Sequence, residues 1–531
     1  MPFCENCGQR LEDGAAFCEN CGTKTDGGFV FGDKTISESD VDSGFSVFAD
    51  HDWRDRWLKA AQSVTGRELG IIVTRERRLV EALSMSDPAP LRECVGRYIN
   101  AAKQRGVVYH YLDLELFDSN GNLRSNLSIL QQIVDVARPK YLFLLGDQSV
   151  MAVGEWENQT GDSDEEVFGD LPYLLLDDTS PWDGQDFRFK DSLRVGRLPN
   201  GADDGFNSFR QYLEYAAVNI GKTAPLSPYG LSALVWEPES QAEFSHISKE
   251  NVDTSPDFTI DDPNCGYQNA NLLYFNLHGS EQNACWYGQD GKDYPPAFSP
   301  QLLCEVLAPN YIGVEACYGA QYGNDLETDE SILLTALHCG CISFLGSSKI
   351  AYGTSEPEGT CADIIIGEYI RGIAAGKCSG DAFAAGLQKL VETSDLDDSD
   401  CKTIAEFSLY GDPSACTGKN PNISTAKSLM KGFCGVPKGL HIPMPDIRRA
   451  TRLALVDVNA KISAMIDDFA KKNYLSKYGG EESFQVTSKT FRLPTLGLNQ
   501  KIYSVKSSSA NHFVKVYFDD NGSVKKSCCS K

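Results

Sequence analysis

Between residues 69 and 347 eight apolar runs of strand length recur: LGIIVT (69–74), VVYHYLDL (107–114), KYLFLLGD (140–147), SLRVGRL (192–198), LSALVW (231–236), LLYFNL (272–277), YIGVEA (311–316) and CISFLGS (341–347). Stretches of helical pattern near 89–104, 124–137, 204–219, 328–338, 360–374, 380–392 and 402–409 lie between or after them. Strands that are apolar throughout must be covered on both faces, and alternation with helices supplies the cover. This predicts an α/β fold: a parallel sheet with helices on both faces. In such sheets, ligands bind beyond the carboxyl ends of the strands.

The flanking segments follow other rules. Cys4-Glu5-Asn6-Cys7-Gly8 is repeated as Cys18-Glu19-Asn20-Cys21-Gly22. Two C-x-x-C turns can each present two thiolates to one metal, so residues 1–24 are expected to be a Cys4 zinc ribbon holding one structural zinc ion. With all four positions filled by protein, that ion has no catalytic role, and catalysis needs no cofactor. Because so short a segment folds only on metal, chelation is expected to unfold 1–24 and leave the rest folded, as read by circular dichroism and limited proteolysis. Residues 25–50 read as a linker rich in Gly, Ser and Asp. The α/β region spans 51–425, divisible into about 51–200 and 201–425. Residues 426–531 read as a separate α+β element. Within it Pro445 opens a long helix with Ile447, Ala454, Val458, Ile462, Met465 and Phe469 on one face. The runs KIYSVK and HFVKVYF follow, the second entering a hairpin through Asp520-Asn521-Gly522.

A net charge of −25 argues against nucleic-acid binding, which needs a basic field. No run approaches the ~18 apolar residues of a membrane span, and MPFCENCGQR has neither the basic flank nor the apolar core of a signal peptide. Of the 18 cysteines, four sit in the metal pattern. Cys304, Cys339, Cys341, Cys361 and Cys378 lie in apolar runs, as reduced buried thiols do. A cytoplasmic location is therefore expected.

The chemistry concentrates at two strand ends. His278-Gly279 closes LLYFNLHG and Ala316-Cys317 closes YIGVEAC. Singly, each residue would read as core packing. Together, a base and a thiol at the tips of neighbouring strands suit thiol-based acyl transfer. His51, His110, His246, His338, His441 and His512 lack that setting.

In these motifs the chain resembles the caspase-fold cysteine peptidases, and among them the gingipain family. His278-Gly279 and Ala316-Cys317 are matched by that family's strand-end pairs. YLFLLGD, LRVGRLP (193–199), CISFLGSS and LYGDPS (409–414) resemble further segments in the same order, so the resemblance extends over about 65–415. It implies a caspase-like fold and hydrolysis of peptide bonds through a thioester on Cys317. His278 would be general base and then acid, with the backbone N–H groups of Gly279 and Cys317 facing the oxyanion. Asp191 is a candidate to orient the imidazole. Glu315 shares a strand face with Cys317, and at that offset the resemblance implies a wall of the pocket for the residue before the cut. A carboxylate there favours Arg or Lys, best the planar fork of Arg. Asp203 and Asp204 could add a second acid. Against this, Glu315 could be solvated and the aspartates a helix cap.

The expected partners are protein or peptide substrates and a regulatory protein docking on the zinc ribbon or the C-terminal element; nucleic acid and membrane are not expected. Acidic loops at 156–167 and 393–400 are candidate processing or regulatory segments. The alternative is a catalytically silent caspase-like scaffold acting through its zinc ribbon. Other hydrolase classes lack their signatures here, with no G-x-S-x-G and no Walker motif. A metal site at His338, Cys339 and Cys341 has a spacing better suited to packing.

Overall fold

The structure, a computed structural model, describes residues 61, 68–417 and 454–531, apart from 185–186, 202–204, 223, 309, 324–325, 457, 479–484 and 507–510. The zinc-ribbon cysteines, the linker, Asp203, Asp204, Pro445 and Ile447 lie outside these residues.

The first strands are β1 (Glu68–Thr74), β2 (Val107–Asp113), β3 (Tyr141–Leu145), β4 (Gly154–Glu157), β5 (Glu166–Gly169) and β6 (Arg194–Leu198). Next come β7 (Pro228–Ala233), β8 (Asp253–Ser255), β9 (Leu272–Asn276), β10 (Trp286–Tyr287), β11 (Pro296–Phe298) and β12 (Asn310–Val314). Then follow β13 (Cys341–Ser347), β14 (Tyr352–Gly353), β15 (Phe407–Gly411) and β16 (Ala454–Leu455). The last four are β17 (Gln485–Leu493), β18 (Leu498–Lys506), β19 (Asn511–Phe518) and β20 (Val524–Ser530).

Ten strands form one sheet in the order β2-β1-β3-β6-β15-β13-β12-β9-β7-β8. All neighbours are parallel except β13 and β15, which are antiparallel. The sheet is parallel as expected except at this one seam, where two five-stranded parallel sets run in opposite directions. There the Asp398–Glu406 helix leads straight into β15, and β15 lies antiparallel to β13 with Phe407 opposite Ser347.

Both faces are covered, as continuous apolar strands require. Gly313 of β12 lies against Ile366, Tyr369 and Ile370 of the Ala362–Ala374 helix. On the opposite face Phe275 of β9 packs on Trp286 and Phe298, with ring centroids 5.0 and 4.6 Å away. β4 and β5 form a small hairpin.

The C-terminal region differs from expectation in two ways. Its helix is Ala460–Asn473, capped by the Asn459 side chain, which accepts from the Lys461 N–H; Ala454 belongs to strand β16. Ile466 and Ala470 are its buried face, while Met465 is 48% exposed. Nor is the region a separate unit. β14-β20-β19-β18-β17-β16 make a second sheet, and its first strand comes from the α/β body.

The acidic loops also turn inward. Lys402 Nζ pairs with Asp162 and Asp164 at 2.7 and 2.6 Å, all three fully or nearly fully buried. Asp397, Asp398 and Asp400 are likewise buried and receive the C-terminal sheet. Cys304 and Cys339 are joined in a disulfide, which corrects their expectation as reduced thiols and removes Cys339 as a metal ligand. His338 Nδ1 is instead 3.0 Å from Ser208 Oγ. Among the described residues no helix is long and apolar enough to cross a membrane.

Candidate active site

β9 and β12 are adjacent and parallel, and their last registered pair is Phe275 with Val314. His278 and Cys317 each lie three residues beyond that pair. Register alone therefore carries both to the same level past the sheet edge. Gly279 then packs against the Cys317 backbone so closely that a Cβ on it would collide with the Cys317 carbonyl oxygen. A Gly279→Ala chain is expected to shift the Cys317 turn and slow alkylation of the Cys317 thiol by iodoacetamide at least ~100-fold, since small displacements of reacting groups are costly. Kinetics beside a melting curve that moves by only a few degrees would check this.

The turn that holds the thiol is strained. Tyr318, directly after Cys317, has φ of 50°, a left-handed conformation uncommon for a non-glycine residue. It is braced by its N–H donating to Lys349 O (2.8 Å) and its hydroxyl donating to Asp164 Oδ1 (2.6 Å). Cys317 Sγ donates to Ala351 O at 3.6 Å. Burial pushes the thiol well above its usual pKa.

His278 is 3% exposed. Its Nε2 lies 2.8 Å from Gln289 Oε1, and the Gln289 amide donates to Gly291 O and Lys477 O. The Gln289 oxygen therefore accepts, which places the ring proton on Nε2 and leaves Nδ1 unprotonated and without a hydrogen-bond partner. The ring packs against Trp236, His512 and Tyr294, with centroids at 4.3, 4.7 and 5.2 Å. Burial, and next the nearby His512, push the imidazole well below its usual range. In this state both groups are neutral, a protonated thiol and an uncharged imidazole at the ends of adjacent strands.

Gln289, and not Asp191, orients the ring. Asp191 is exposed just before β6, and β6 stands four strands from β9, about 19 Å at the usual strand spacing. No sequence signal marks Gln289, because its role depends on a loop folding back over β9.

Glu315 is fully buried, which excludes a solvated strand end. Its carboxylate meets those of Glu239 and Asp363, all within 4.8 Å of one another. The Lys531 ammonium sits among them, 2.9 Å from Asp363 Oδ1 and 3.5 Å from Glu315 Oε2. Burial alone would lower the Lys531 pKa, but Asp363, Glu315 and Glu239 outweigh it and hold the cation. Burial and mutual repulsion push Glu239 and Glu315 well above the carboxylate range. The sequence singled out Glu315 by its offset from Cys317. Glu239, Asp363 and Lys531 come from distant segments and carried no such mark.

The C-terminal sheet covers the His278 side through His512 of β19, stacked between Tyr294 and Tyr478 at 5.2 and 5.0 Å. Burial lowers His512 from 6.5 to about 4. The docked state therefore binds fewer protons than the released one between those values. Its stability is fully present above the released pKa near 6.5 and is lost as pH falls toward 4, a linkage of at most ~3 kcal/mol. Protection of the amides across 511–530, taken relative to the intrinsic exchange rate at each pH, is expected to be lower at pH 5 than at pH 7.5; unchanged protection would contradict the coupling.

The site thus defines a buried Cys/His pair at the ends of two parallel strands, beside an acidic pocket. A zinc-ribbon domain model matches residues 3–25, and a comparison with curated proteins finds no match. Among solved structures the chain is similar to the complex of the Porphyromonas gingivalis RgpB pro- and mature domains, at 10% identity and TM-score 0.46, covering 87% of this chain and 99% of that one. It is also similar to the Arg-specific cysteine proteinase gingipain R, at 10% identity and TM-score 0.48, covering 88% and 98%. A third similar structure, described as a protease, has 13% identity and TM-score 0.42 and covers 87% and 97%.

Proposed function

We propose that the chain is a cysteine endopeptidase that cuts after Lys or Arg. The observation that supports this most is the placement of His278 and Cys317 at adjacent strand ends, with Nε2 held by Gln289 and the Nδ1 lone pair left free to accept a proton. In the reaction Cys317 Sγ attacks the scissile carbonyl while its proton passes to His278. The backbone N–H groups of Gly279 and Cys317 face the developing oxyanion, a contribution of a few kcal/mol. His278 then protonates the leaving amine, a thioester remains on Cys317, and water hydrolyses it. Glu315 draws the basic side chain into the pocket.

Residues 1–24 hold one structural zinc ion on Cys4, Cys7, Cys18 and Cys21, and serve as a docking surface for a regulatory protein. The 11 free cysteines among the described residues favour a cytoplasmic location, while the Cys304–Cys339 disulfide speaks against a strictly reducing one. Thiol titration of protein from reducing lysate decides between them.

The test of the peptidase reading is intact-mass labelling with lysyl and arginyl chloromethyl ketones. It uses chains carrying Lys531→Ala, so that the pocket is open. One adduct on Cys317, absent in Cys317→Ala and His278→Ala, is expected. No adduct with either reagent would sink the reading and leave the silent scaffold.

A further inference from the structure

We infer that Cys528–Lys531 occupy the substrate cleft as a bound peptide would, with Lys531 in the pocket for the residue before the cut, so that the C-terminal sheet competes with lysyl substrates. This rests on the peptidase reading above and adds Glu239 and Asp363 to the specificity pocket.

The backbone carries the first part of the argument. β20 pairs antiparallel with β14, Ser530 opposite Tyr352 and Cys529 opposite Gly353, and the Lys531 N–H donates to Ala351 O at 3.0 Å. Addition of an extended segment to a short edge strand is a common way to bind peptides. The carbonyl that receives the Lys531 N–H is the same one that accepts from Cys317 Sγ. The Lys531 backbone N–H and the Cys317 thiol thereby meet at one carbonyl.

The side chain carries the second part. Lys531 is fully buried there, and its Nζ faces three oxygens: Asp363 Oδ1 at 2.9 Å, Thr354 O at 3.3 Å and Glu315 Oε2 at 3.5 Å. The Trp236 ring lies 4.5 Å from it, and the stem runs over Gly353, where a Cβ would strike Lys531 Cε. Burying an ammonium is costly unless it is paired and hydrogen-bonded. Two carboxylates pair with the ammonium and the Thr354 carbonyl accepts a hydrogen bond from it, an arrangement that suits a compact charge better than a planar guanidinium.

The cover is anchored away from the pocket. Lys526 Nζ pairs with Asp397 and Asp400 at 2.6 and 2.8 Å, and Lys515 Nζ with Asp398 at 3.2 Å. Gln500 Nε2 donates to Asp398 Oδ1 at 2.7 Å. A tethered segment held so close competes at a high effective concentration.

The test compares the full chain with Lys531→Ala and with a deletion of residues 529–531, all carrying Cys317→Ala. The probe is a fluorescein-labelled Lys-Ser-Ser-Ser-Ser-Lys peptide, residues 526–531 with serine for cysteine. Both variants are expected to bind it at least tenfold more tightly than the Cys317→Ala chain with its C-terminus intact, and Asp363→Asn in the Lys531→Ala background to abolish the gain. Equal affinity in all chains, or equal affinity for the same peptide ending in Ala, overturns the inference. Turnover of lysyl and arginyl substrates is measured in parallel with Cys317 present. The Lys531→Ala chain is expected to gain at least tenfold in kcat/KM for lysyl substrates. If binding shifts and no chain turns over substrate, the peptidase reading falls and the occupied cleft stands. If all chains turn over equally, the cleft is not occluded and the peptidase reading stands.

Discussion

A Cys317→Ala chain, assayed in the Lys531→Ala background, is expected to lose on the order of 10⁴-fold in kcat/KM for lysyl and arginyl substrates while staying folded. The size follows from what the atom does. Without Sγ there is no thioester, and only binding and oxyanion stabilisation remain. The fold should tolerate the change. Cys317 packs in a cluster with Ile350, Tyr352, Cys361, Phe513 and Cys528, and losing one sulfur from it costs ~1 kcal/mol. His278→Ala is expected to fall nearly as far, since the thiol, which burial holds protonated, then has no base to take its proton. Retention of activity within tenfold in Cys317→Ala, with an unchanged melting temperature, would place the nucleophile elsewhere.

The largest effect on stability is expected at Arg197, far from the site. Arg197 is fully buried in β6. Its Nη2 and Nε donate to Asp170 at 2.6 and 3.0 Å, and its Nη1 donates to Gly146 O and Met151 O at 2.8 Å each. Arg197→Met leaves the Asp170 carboxylate buried without its cation and two carbonyls without a donor. A loss of 3–5 kcal/mol is the usual scale for such a break. Arg197→Lys should recover little, because an ammonium cannot serve the carboxylate edge and two carbonyls from one fixed plane. Chemical denaturation of the three chains reads this directly. A change under ~1 kcal/mol in Arg197→Met would mean that the pair contributes nothing net.

Arg197 also explains why one of the sequence motifs was readable. The segment LRVGRLP reads as a strand, and the structure gives reasons for its Gly-Arg. Gly196 abuts the Gly411 carbonyl and Pro413, where no side chain fits, and Arg197 is the buried ion pair. LYGDPS is similar. Asp412 accepts from Tyr109 at 2.5 Å and from the Ser414 N–H at 2.7 Å, tying β2 to the end of β15. Both motifs hold the sheet together and take no part in the chemistry.

The site was legible where it was local. His278 and Cys317 stand at the ends of apolar runs, and parallel pairing of those runs brings them level. Glu315 was legible by strand alternation. Gln289, Glu239 and Asp363 were not, because each reaches the site from another segment and nothing around it in sequence differs from an ordinary polar residue. The structural role of the acidic residues in 393–400, read from the sequence as a candidate processing or regulatory segment, was hidden for the same reason. Their partners, Lys515 and Lys526, lie more than 100 residues further on.

Local periodicity, then, was enough by itself to determine the α/β alternation, the strand ends that carry the thiol and the imidazole, and the C-x-x-C repeat, since each depends on neighbours in the chain. Only the tertiary structure decided that the sheet reverses between β13 and β15, that Gln289 sets the imidazole tautomer, and that a lysine 216 residues beyond Glu315 fills the acidic pocket. Those outcomes depend on which distant segments meet across the fold, and no short-range pattern records that.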